Sequence, residues 1–211
     1  MVARKESHTM NSKRSLVRRT AAVIAAAFLL AACGGNGDST AGHDGHTAKS
    51  PSAPASPGRH NAADIAFAQG MIPHHRQAVE MAALAPGRAE SAQVRKLAED
   101  IRKAQDPEIR TMSGWLASWG EEVPAGGAGH HSAHGDGMMT AEEMKRLESA
   151  SGKAFDTAFM EMMIRHHEGA VAMAETERAD GAYGPAKKMA EAIIASQTAE
   201  ITRMNELLGR D

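Results

Sequence analysis

The sequence has few aromatic residues and a single cysteine. Only 3% of its 211 residues are aromatic, whereas 14 are methionine. A core must therefore be built from Ala, Leu, Ile, Val and Met, which suits packed helices better than a sandwich of sheets. One cysteine cannot form a disulfide within the chain. The length and the 42% hydrophobic content fit one globular domain with a real core, and the composition predicts an all-α protein.

The first 32 residues have the pattern of a secretory signal peptide. They carry six Lys or Arg and one Glu, a formal charge of +5, followed by an apolar run from Ala21 to Ala32. This pattern fits a cleaved export signal better than a membrane-spanning helix. The run ends at Cys33 in a sequence that resembles the bacterial lipobox, which implies lipidation of that cysteine. We expect an exported protein, lipid-anchored to the outer face of the bacterial cytoplasmic membrane or cell envelope.

The mature chain lacks the charge pattern of a nucleic-acid binder. Removing the +5 of the signal peptide from the formal net charge of −2 leaves −7. The sequence contains no basic stripe with interleaved aromatic residues, which binding to phosphate groups would require. We therefore exclude nucleic acid as a partner.

Two Gly-rich segments divide the mature chain. Residues 33–60 are rich in Gly, Ser, Pro, Ala and Thr, a composition that cannot bury enough apolar surface to fold. The second segment precedes Thr140 and Glu143, which have the spacing of a capping box. The predicted organisation is a signal peptide at 1–32, a flexible tether at 33–60 and a helical domain at 61–211, with a hairpin at 61–119, a His/Gly-rich loop at 120–139 and a hairpin at 140–211.

The two halves of the helical domain repeat each other at an offset of 92 residues. The identical pairs include Asp64/Asp156, Phe67/Phe159, Met71/Met163, Ile72/Ile164, His74/His166, His75/His167, Gln105/Gln197, Glu108/Glu200 and Met112/Met204. In each half a periodic apolar segment, a turn (Pro86-Gly87 or Asp180-Gly181) and a second periodic segment predict an αα-hairpin. Two such hairpins predict a four-helix bundle, and residues 140–150 predict a short additional helix.

Helical geometry separates the two histidines of each repeat. At about 100° per residue, the first histidine shares an apolar stripe with a methionine one turn earlier, and the second lies about 80° away at the edge of the stripe. We therefore expect His74 and His166 to face the core and His75 and His167 to lie at its edge. Three roles stay open for the edge histidines: second-site ligands, partners of Asp64 and Asp156, or surface imidazoles. The two acids are equally compatible with stabilising the first turn of a helix.

The second helix of each hairpin has polar residues in its core register. Buried carboxylates and imidazoles must meet one another, a metal or water. One interpretation is a structural hydrogen bond from His to Glu across each hairpin, which would fix the helix register. The other is that these groups support a metal site. The candidate core partners are Gln105, Glu108, Met112, Gln197, Glu200 and Met204.

Methionine and histidine occur at a spacing that suits a soft metal. Residues three positions apart on a helix present a thioether and an imidazole on one face, within reach of one ion. Such donors favour copper, especially Cu(I), over Mg²⁺ or Ca²⁺. The predicted metal-site residues are Met71, His74, His75, Met163, His166 and His167. Residues of the Gly-rich loop are interpreted either as auxiliary metal sites or as solvated spacer: His130, His131, His134, Met138 and Met139.

The doubled motif resembles the DUF305 (CopM-like) family. It runs Asp64-x-x-Phe67-x-x-x-Met71-Ile72-x-His74-His75, and its second copy includes Met162-Met163-Ile164-Arg165-His166-His167-Glu168-Gly169-Ala170. The resemblance covers about residues 61 to 210. It implies a ferritin-like four-helix fold, export to the cell envelope and, in the copper-resistance members, binding of copper or silver through Met and His.

Three functions follow from these patterns. The leading hypothesis is an envelope lipoprotein that sequesters or passes on Cu(I) without turnover. An alternative is a ferritin-like di-iron or mixed-metal oxidase that uses Glu108 and Glu200, although the chain has no Glu-x-x-His motif of the kind such sites use. A third is a non-metal helical interaction module in which the histidines are structural.

Overall fold

A computed structural model describes residues 58–125 and 137–210. These residues form five helices and no strand: α1 (Ala62–Arg88), α2 (Ala92–Trp119), α3 (Ala141–Ser149), α4 (Gly152–Asp180) and α5 (Gly184–Leu207). The all-α prediction is confirmed, and the short additional helix is α3. The predicted signal peptide, the lipidation residue Cys33 and the loop histidines His130, His131 and His134 lie outside the described residues.

Side chains cap the beginnings of three helices. Asn61 accepts the backbone N–H groups of Ala63 and Asp64 at 2.9 and 3.1 Å, and Asp64 accepts the N–H of Asn61 at 2.6 Å. Thr140 and Glu143 form the predicted capping box at the start of α3. Ser91 caps α2 by accepting the N–H groups of Gln93 and Val94. These contacts satisfy N–H groups that have no partner within the helix, so the local sequence determines where the helices begin.

The turn of the first hairpin was expected at Pro86-Gly87, and this prediction is wrong. Helix α1 continues through both residues to Arg88, and the N–H of Ala89 bonds the carbonyl of Ala85 at 2.9 Å. Pro86 removes one N–H donor and crowds the carbonyl of Ala82, but α1 continues for only two residues beyond it, so the helix ends near the proline rather than before it. The second hairpin turns at Gly181 as predicted, and Pro185 lies in the first turn of α5, where its missing N–H costs nothing.

The helices pack as two hairpins joined along one seam. Helix α1 packs on α2, α4 packs on α5, and the hairpins meet where α1 lies against α4. The core is rich in methionine: Met71, Met81, Met112, Met163 and Met204 are fully buried. Each such side chain contributes about 1.5–3 kcal/mol of hydrophobic stabilisation. Because α1 and α4 pack against each other and each also packs against the second helix of its own hairpin, each must bury two faces rather than one.

The repeated aspartates join the two hairpins. Asp64, near the start of α1, accepts the N–H groups of Ala182 and Tyr183 at 3.2 and 2.8 Å. Asp156, near the start of α4, accepts those of Glu90 and Ser91 at 3.2 and 2.8 Å. Each aspartate therefore binds the turn that follows the opposite helix of the seam. It follows that α1 and α4 run antiparallel and are related by an internal twofold pseudosymmetry.

None of the helices in the described part of the chain is both long and apolar enough to span a membrane.

Candidate metal centre

Two histidines from different hairpins meet at the middle of the seam. The rings of His74 and His166 have centroids 3.7 Å apart and are tilted by 42°. His74 is 1% exposed and His166 is fully buried, as the stripe prediction required. Burial and the neighbouring His74 hold the pKa of His166 well below its ordinary range. His166 is therefore neutral at pH 7, which is the form that binds metals.

His166 is also short of hydrogen bonds. Among the described residues, neither of its ring nitrogens has a partner with good hydrogen-bond geometry, and the nearby His74 backbone raises the pKa of His166 by less than burial lowers it. Leaving a buried polar group unsatisfied costs about 1–3 kcal/mol. A buried imidazole in this condition is a candidate ligand whose lone pair faces no competing donor.

The two predicted methionine ligands lie on opposite sides of the histidine pair. Met71 belongs to the core cluster that contains Met112, whereas Met163 belongs to the cluster that contains Met204. Each methionine precedes the histidine of its own helix by three residues, which is about 4.5 Å along the helix axis. Because α1 and α4 are antiparallel, the two displacements have opposite directions. The structure thus brings the histidines together and buries one methionine a helical turn away on each of the two helices.

His75 and His167 were expected at the edge of the core, and this prediction is wrong. Both are fully buried. His75 Nε2 lies 2.8 Å from Glu108 Oε2, and His167 Nε2 lies 2.6 Å from Glu200 Oε2. The single-stripe reasoning failed because α1 and α4 have two contact faces. The first histidine of each pair faces the seam, and the second faces the other helix of its own hairpin.

The expected structural bond between His and Glu therefore exists, and it uses the second histidine of each pair. The two glutamate side chains are 22% and 21% exposed, so they reach the solvent and retain part of their hydration. With its proton on Nε2, each histidine donates to its glutamate and leaves Nδ1 as a lone pair. In the described part of the chain, Nδ1 of His75 and of His167 has no hydrogen-bond partner. A carboxylate that fixes the tautomer of a buried histidine is a common arrangement behind metal ligands.

The remaining core partners are buried around these groups. Gln105 and Gln197 are 2% and 3% exposed, and the side-chain oxygen of each has no hydrogen-bond partner among the described residues. Met112 and Met204 are fully buried. The alternative that pairs His75 and His167 with Asp64 and Asp156 is wrong, because both acids bind backbone N–H groups at the helix ends.

The end of the Gly-rich loop docks beside the seam. Met139 is 7% exposed, and its sulfur lies 3.2 Å from the Arg165 guanidinium, which also donates to Glu143 Oε1 at 2.6 Å. A thioether in contact with a cation is a poor metal donor in that conformation. Met138 is partly exposed beside it. The auxiliary metal site that includes these methionines stays a prediction.

The donor types decide which metals fit. Among residues 58–125 and 137–210, no group of three or more His, Cys, Asp or Glu side chains is arranged to hold a metal. The seam offers imidazole with thioether, which suits a soft ion of low coordination number.

Sequence reasoning missed three polar residues that the structure uses. Each lies at a position where the two halves of the repeat have different residues. That difference was the sign in the sequence that could have identified them. Gln77 and Arg165 hold the docked end of the loop, and Glu177 is a buried carboxyl beside Asp64. The three departures are Gln77 against Gly169, Arg165 against Pro73, and Glu177 against Ala85.

Comparisons with known proteins point to one family. The DUF305 family model, described as a domain of unknown function, matches residues 64–208. A DUF305 protein of Streptomyces coelicolor, assigned as secreted, is 34% identical over 70% of this chain and 92% of its own, with a TM-score of 0.64. A DUF305 fragment from Deinococcus radiodurans is 32% identical over 72% of this chain and 98% of its own, with a TM-score of 0.64.

A third solved structure is CopM in a Cu(II)-bound form, 36% identical over 68% of this chain and 94% of its own, with a TM-score of 0.61. CopM has also been solved in Cu(I)-bound and Ag-bound forms. A search of curated proteins gave no match.

Proposed function

The chain belongs to the DUF305 family, and we propose that it binds a soft transition metal, Cu(I) and also Ag(I), at the seam between its two hairpins. The ligands are His74 and His166, with Met71 and Met163 from the turns on either side. The protein acts as a binding protein that sequesters the ion or passes it on, and the metal is its cargo.

One observation carries this proposal: the contact between His74 and His166 in a buried seam. The two rings lie with centroids 3.7 Å apart, His166 is neutral, and neither of its ring nitrogens has a hydrogen bond among the described residues. A metal ion would supply the missing partner. The copper-bound and silver-bound forms of CopM, a structural relative at 32–36% identity, support the same class of ligand.

The two buried His–Glu pairs lie next to the proposed metal ligands in sequence and hold the neighbouring rings in place. Glu108 and Glu200 hold His75 and His167 through Nε2, which restricts the rotation of rings adjacent in sequence to the proposed ligands. We propose that these second histidines are either further ligands through Nδ1 or positioning residues for His74 and His166.

The test is an anaerobic Cu(I) titration of the mature chain against a colorimetric Cu(I) chelator. The double variant His74→Ala, His166→Ala should bind the tightest equivalent of Cu(I) at least tenfold more weakly than the wild type. The matched control is His60→Ala, because His60 stacks on Trp119 with ring centroids 4.4 Å apart, outside the seam. Its binding curve should overlay that of the wild type.

A double variant that is folded by circular dichroism and binds Cu(I) as tightly as the wild type would refute the seam site. Replacing both residues with Gln instead of Ala repeats the test with side chains of similar size, so a loss caused only by a cavity can be recognised.

The cellular location is a second part of the proposal. We propose that Cys33 is lipidated and holds the domain at the outer face of the cytoplasmic membrane or in the cell envelope. Two or three acyl chains are sufficient for stable anchoring. Wild-type protein should partition into the detergent phase of a Triton X-114 extract, and the Cys33→Ser variant should remain in the aqueous phase. Equal partitioning of the two would contradict the anchor.

The other two hypotheses gain no support from the geometry. An oxidase site needs several carboxylates around its metals, but each core glutamate bonds a histidine of its own hairpin. A purely structural role accounts for His75 and His167 through their bonds to Glu108 and Glu200, but it makes no use of the thioether donors that neighbour the other two histidines in sequence.

A further inference from the structure

An open cavity lies at one end of the bundle, away from the histidine seam. Its volume is about 250 Å³. It is bordered by the start of α2, the first turns of α4 and the end of α5, with Ser91, Thr157, Met160 and Leu207 among its lining residues. The cavity is open to solvent on one side, and its volume has room for a small organic molecule.

The internal repeat shows what a filled version of this cavity looks like. At the offset of 92 residues, Ser91 corresponds to Tyr183 and Leu207 corresponds to Trp115. At the opposite end of the bundle those two aromatic rings pack edge to face, with centroids 5.5 Å apart.

The backbone is held in the same way at both ends. The N–H of Tyr183 bonds Asp64 at 2.8 Å, and the N–H of Ser91 bonds Asp156 at 2.8 Å. The two ends therefore differ mainly in their side chains. Met160 corresponds to the smaller Ala68 and lines the cavity together with Ser91 and Leu207, the two residues that correspond to the aromatic pair of the other end.

The lining determines the class of ligand. Val94, Met160 and Leu208 supply apolar walls, while Ser91 and Thr157 carry hydroxyl groups. The Ser91 oxygen accepts N–H groups from α2, and its own O–H remains available to donate.

The charged residues of the lining narrow the class of ligand further. Lys153 and Asp156 both line the cavity, so it contains one group of each sign and favours neither cations nor anions. We propose that this cavity binds an uncharged planar aromatic molecule, of the size of phenol or indole, with one hydrogen-bonding edge. The inference rests on the repeat and the cavity, and is independent of metal binding.

The test is a ¹H–¹⁵N NMR titration of the mature chain with phenol and indole, compared with benzoate and benzylamine as charged molecules of similar size. Saturable shifts are expected at the backbone amides of Ser91, Thr157 and Leu207, at lower concentrations of the neutral compounds than of the charged ones. The absence of saturable shifts, a response centred elsewhere, or tighter binding of a charged compound would each overturn the proposal.

A variant that rebuilds the aromatic pair provides the matched control. Ser91→Tyr with Leu207→Trp should fill the cavity and weaken indole binding at least tenfold, with the rest of the spectrum preserved. Leu207→Trp alone serves if the double variant does not fold. Unchanged indole affinity in the folded variant would also overturn the proposal.

Discussion

The side-chain amide of Gln77 pairs with both backbone polar groups of Met139. Gln77 Nε2 donates to the Met139 carbonyl at 2.9 Å, and Gln77 Oε1 accepts the Met139 N–H at 2.7 Å. All of these atoms are buried, and the residues are 62 positions apart. The end of the Gly-rich loop is thereby fixed one helical turn from His74, so the loop reaches the bundle at the level of the proposed metal site.

Removing this pairing should destabilise the protein. Gln77→Ala leaves the N–H and the carbonyl of Met139 buried without partners, and we expect a loss of about 2–4 kcal/mol. Urea unfolding followed by circular dichroism measures it. The matched control is Gln69→Ala on the same helix, because the Gln69 amide donates one exposed bond of 3.3 Å to Glu122. If the two variants lose the same stability, the Gln77 clamp contributes nothing specific.

Gly137 should tolerate substitution less well than Gly120. Both have positive φ, 72° and 76°, so alanine is strained by about 1–2 kcal/mol at either position. A Cβ at Gly137 would also lie 2.3 Å from the Arg165 carbonyl, whereas one at Gly120 would meet open space. Gly137→Ala should therefore lower the melting temperature at least twice as much as Gly120→Ala. Equal shifts would mean that the loop does not pack against α4 in solution.

Periodicity in the sequence predicted the part of the site that depends on one helix. It placed His74 and His166 inward because burial follows the helical repeat. It misplaced His75 because a helix wheel assumes one buried face, and α1 has two. It gave no sign of Gln77 or Arg165 as contacts, since the docking of Met139 against α1 and α4 is a tertiary feature.

The buried carboxyl of Glu177 should make stability depend on pH. Burial, and then the adjacent Asp64 carboxyl, raise the pKa of Glu177 to about 8. Burial alone would raise the pKa of Asp64 as well, but the N–H groups of Tyr183 and Asn61 outweigh it and lower that pKa. Gly181 lies beside this pair, and a Cβ there would lie 2.6 Å from the backbone carbonyl oxygen of Glu177.

The direction of this pH dependence follows from the difference in proton binding by Glu177 between the folded and unfolded states. Between its unfolded value of 4.5 and about 8, Glu177 keeps its proton when folded and loses it when unfolded. Rising pH therefore favours the unfolded state across this window, by at most about 1.4 kcal/mol per pH unit. Glu177→Gln should remove this slope and be more stable than the wild type at pH 8. Glu175→Gln, an exposed neighbour, should leave the slope unchanged. Parallel stability curves for Glu177→Gln and the wild type would contradict the assignment.

The bonds from Glu108 to His75 and from Glu200 to His167 give the last prediction, which rests on the proposed Cu(I) site. Gln in place of Glu is nearly isosteric and can still meet the ring, but it removes the charge that favours a proton on Nε2. If the pairs position the site, the double variant Glu108→Gln, Glu200→Gln should lower Cu(I) affinity about 10–100-fold, the range found for carboxylates behind metal-binding histidines.

The control for that variant is Glu99→Gln, because Glu99 lies on α2 and pairs with Lys103 on the exposed surface. A stability measurement separates the two roles of the histidines. If the His–Glu bonds are purely structural, the double variant should have a lower free energy of unfolding and an unchanged Cu(I) affinity. If they position the ligands, the variant should lose Cu(I) affinity while remaining folded. Unaltered affinity would confine Glu108 and Glu200 to the register of their hairpins and leave the copper site to the seam histidines and methionines alone.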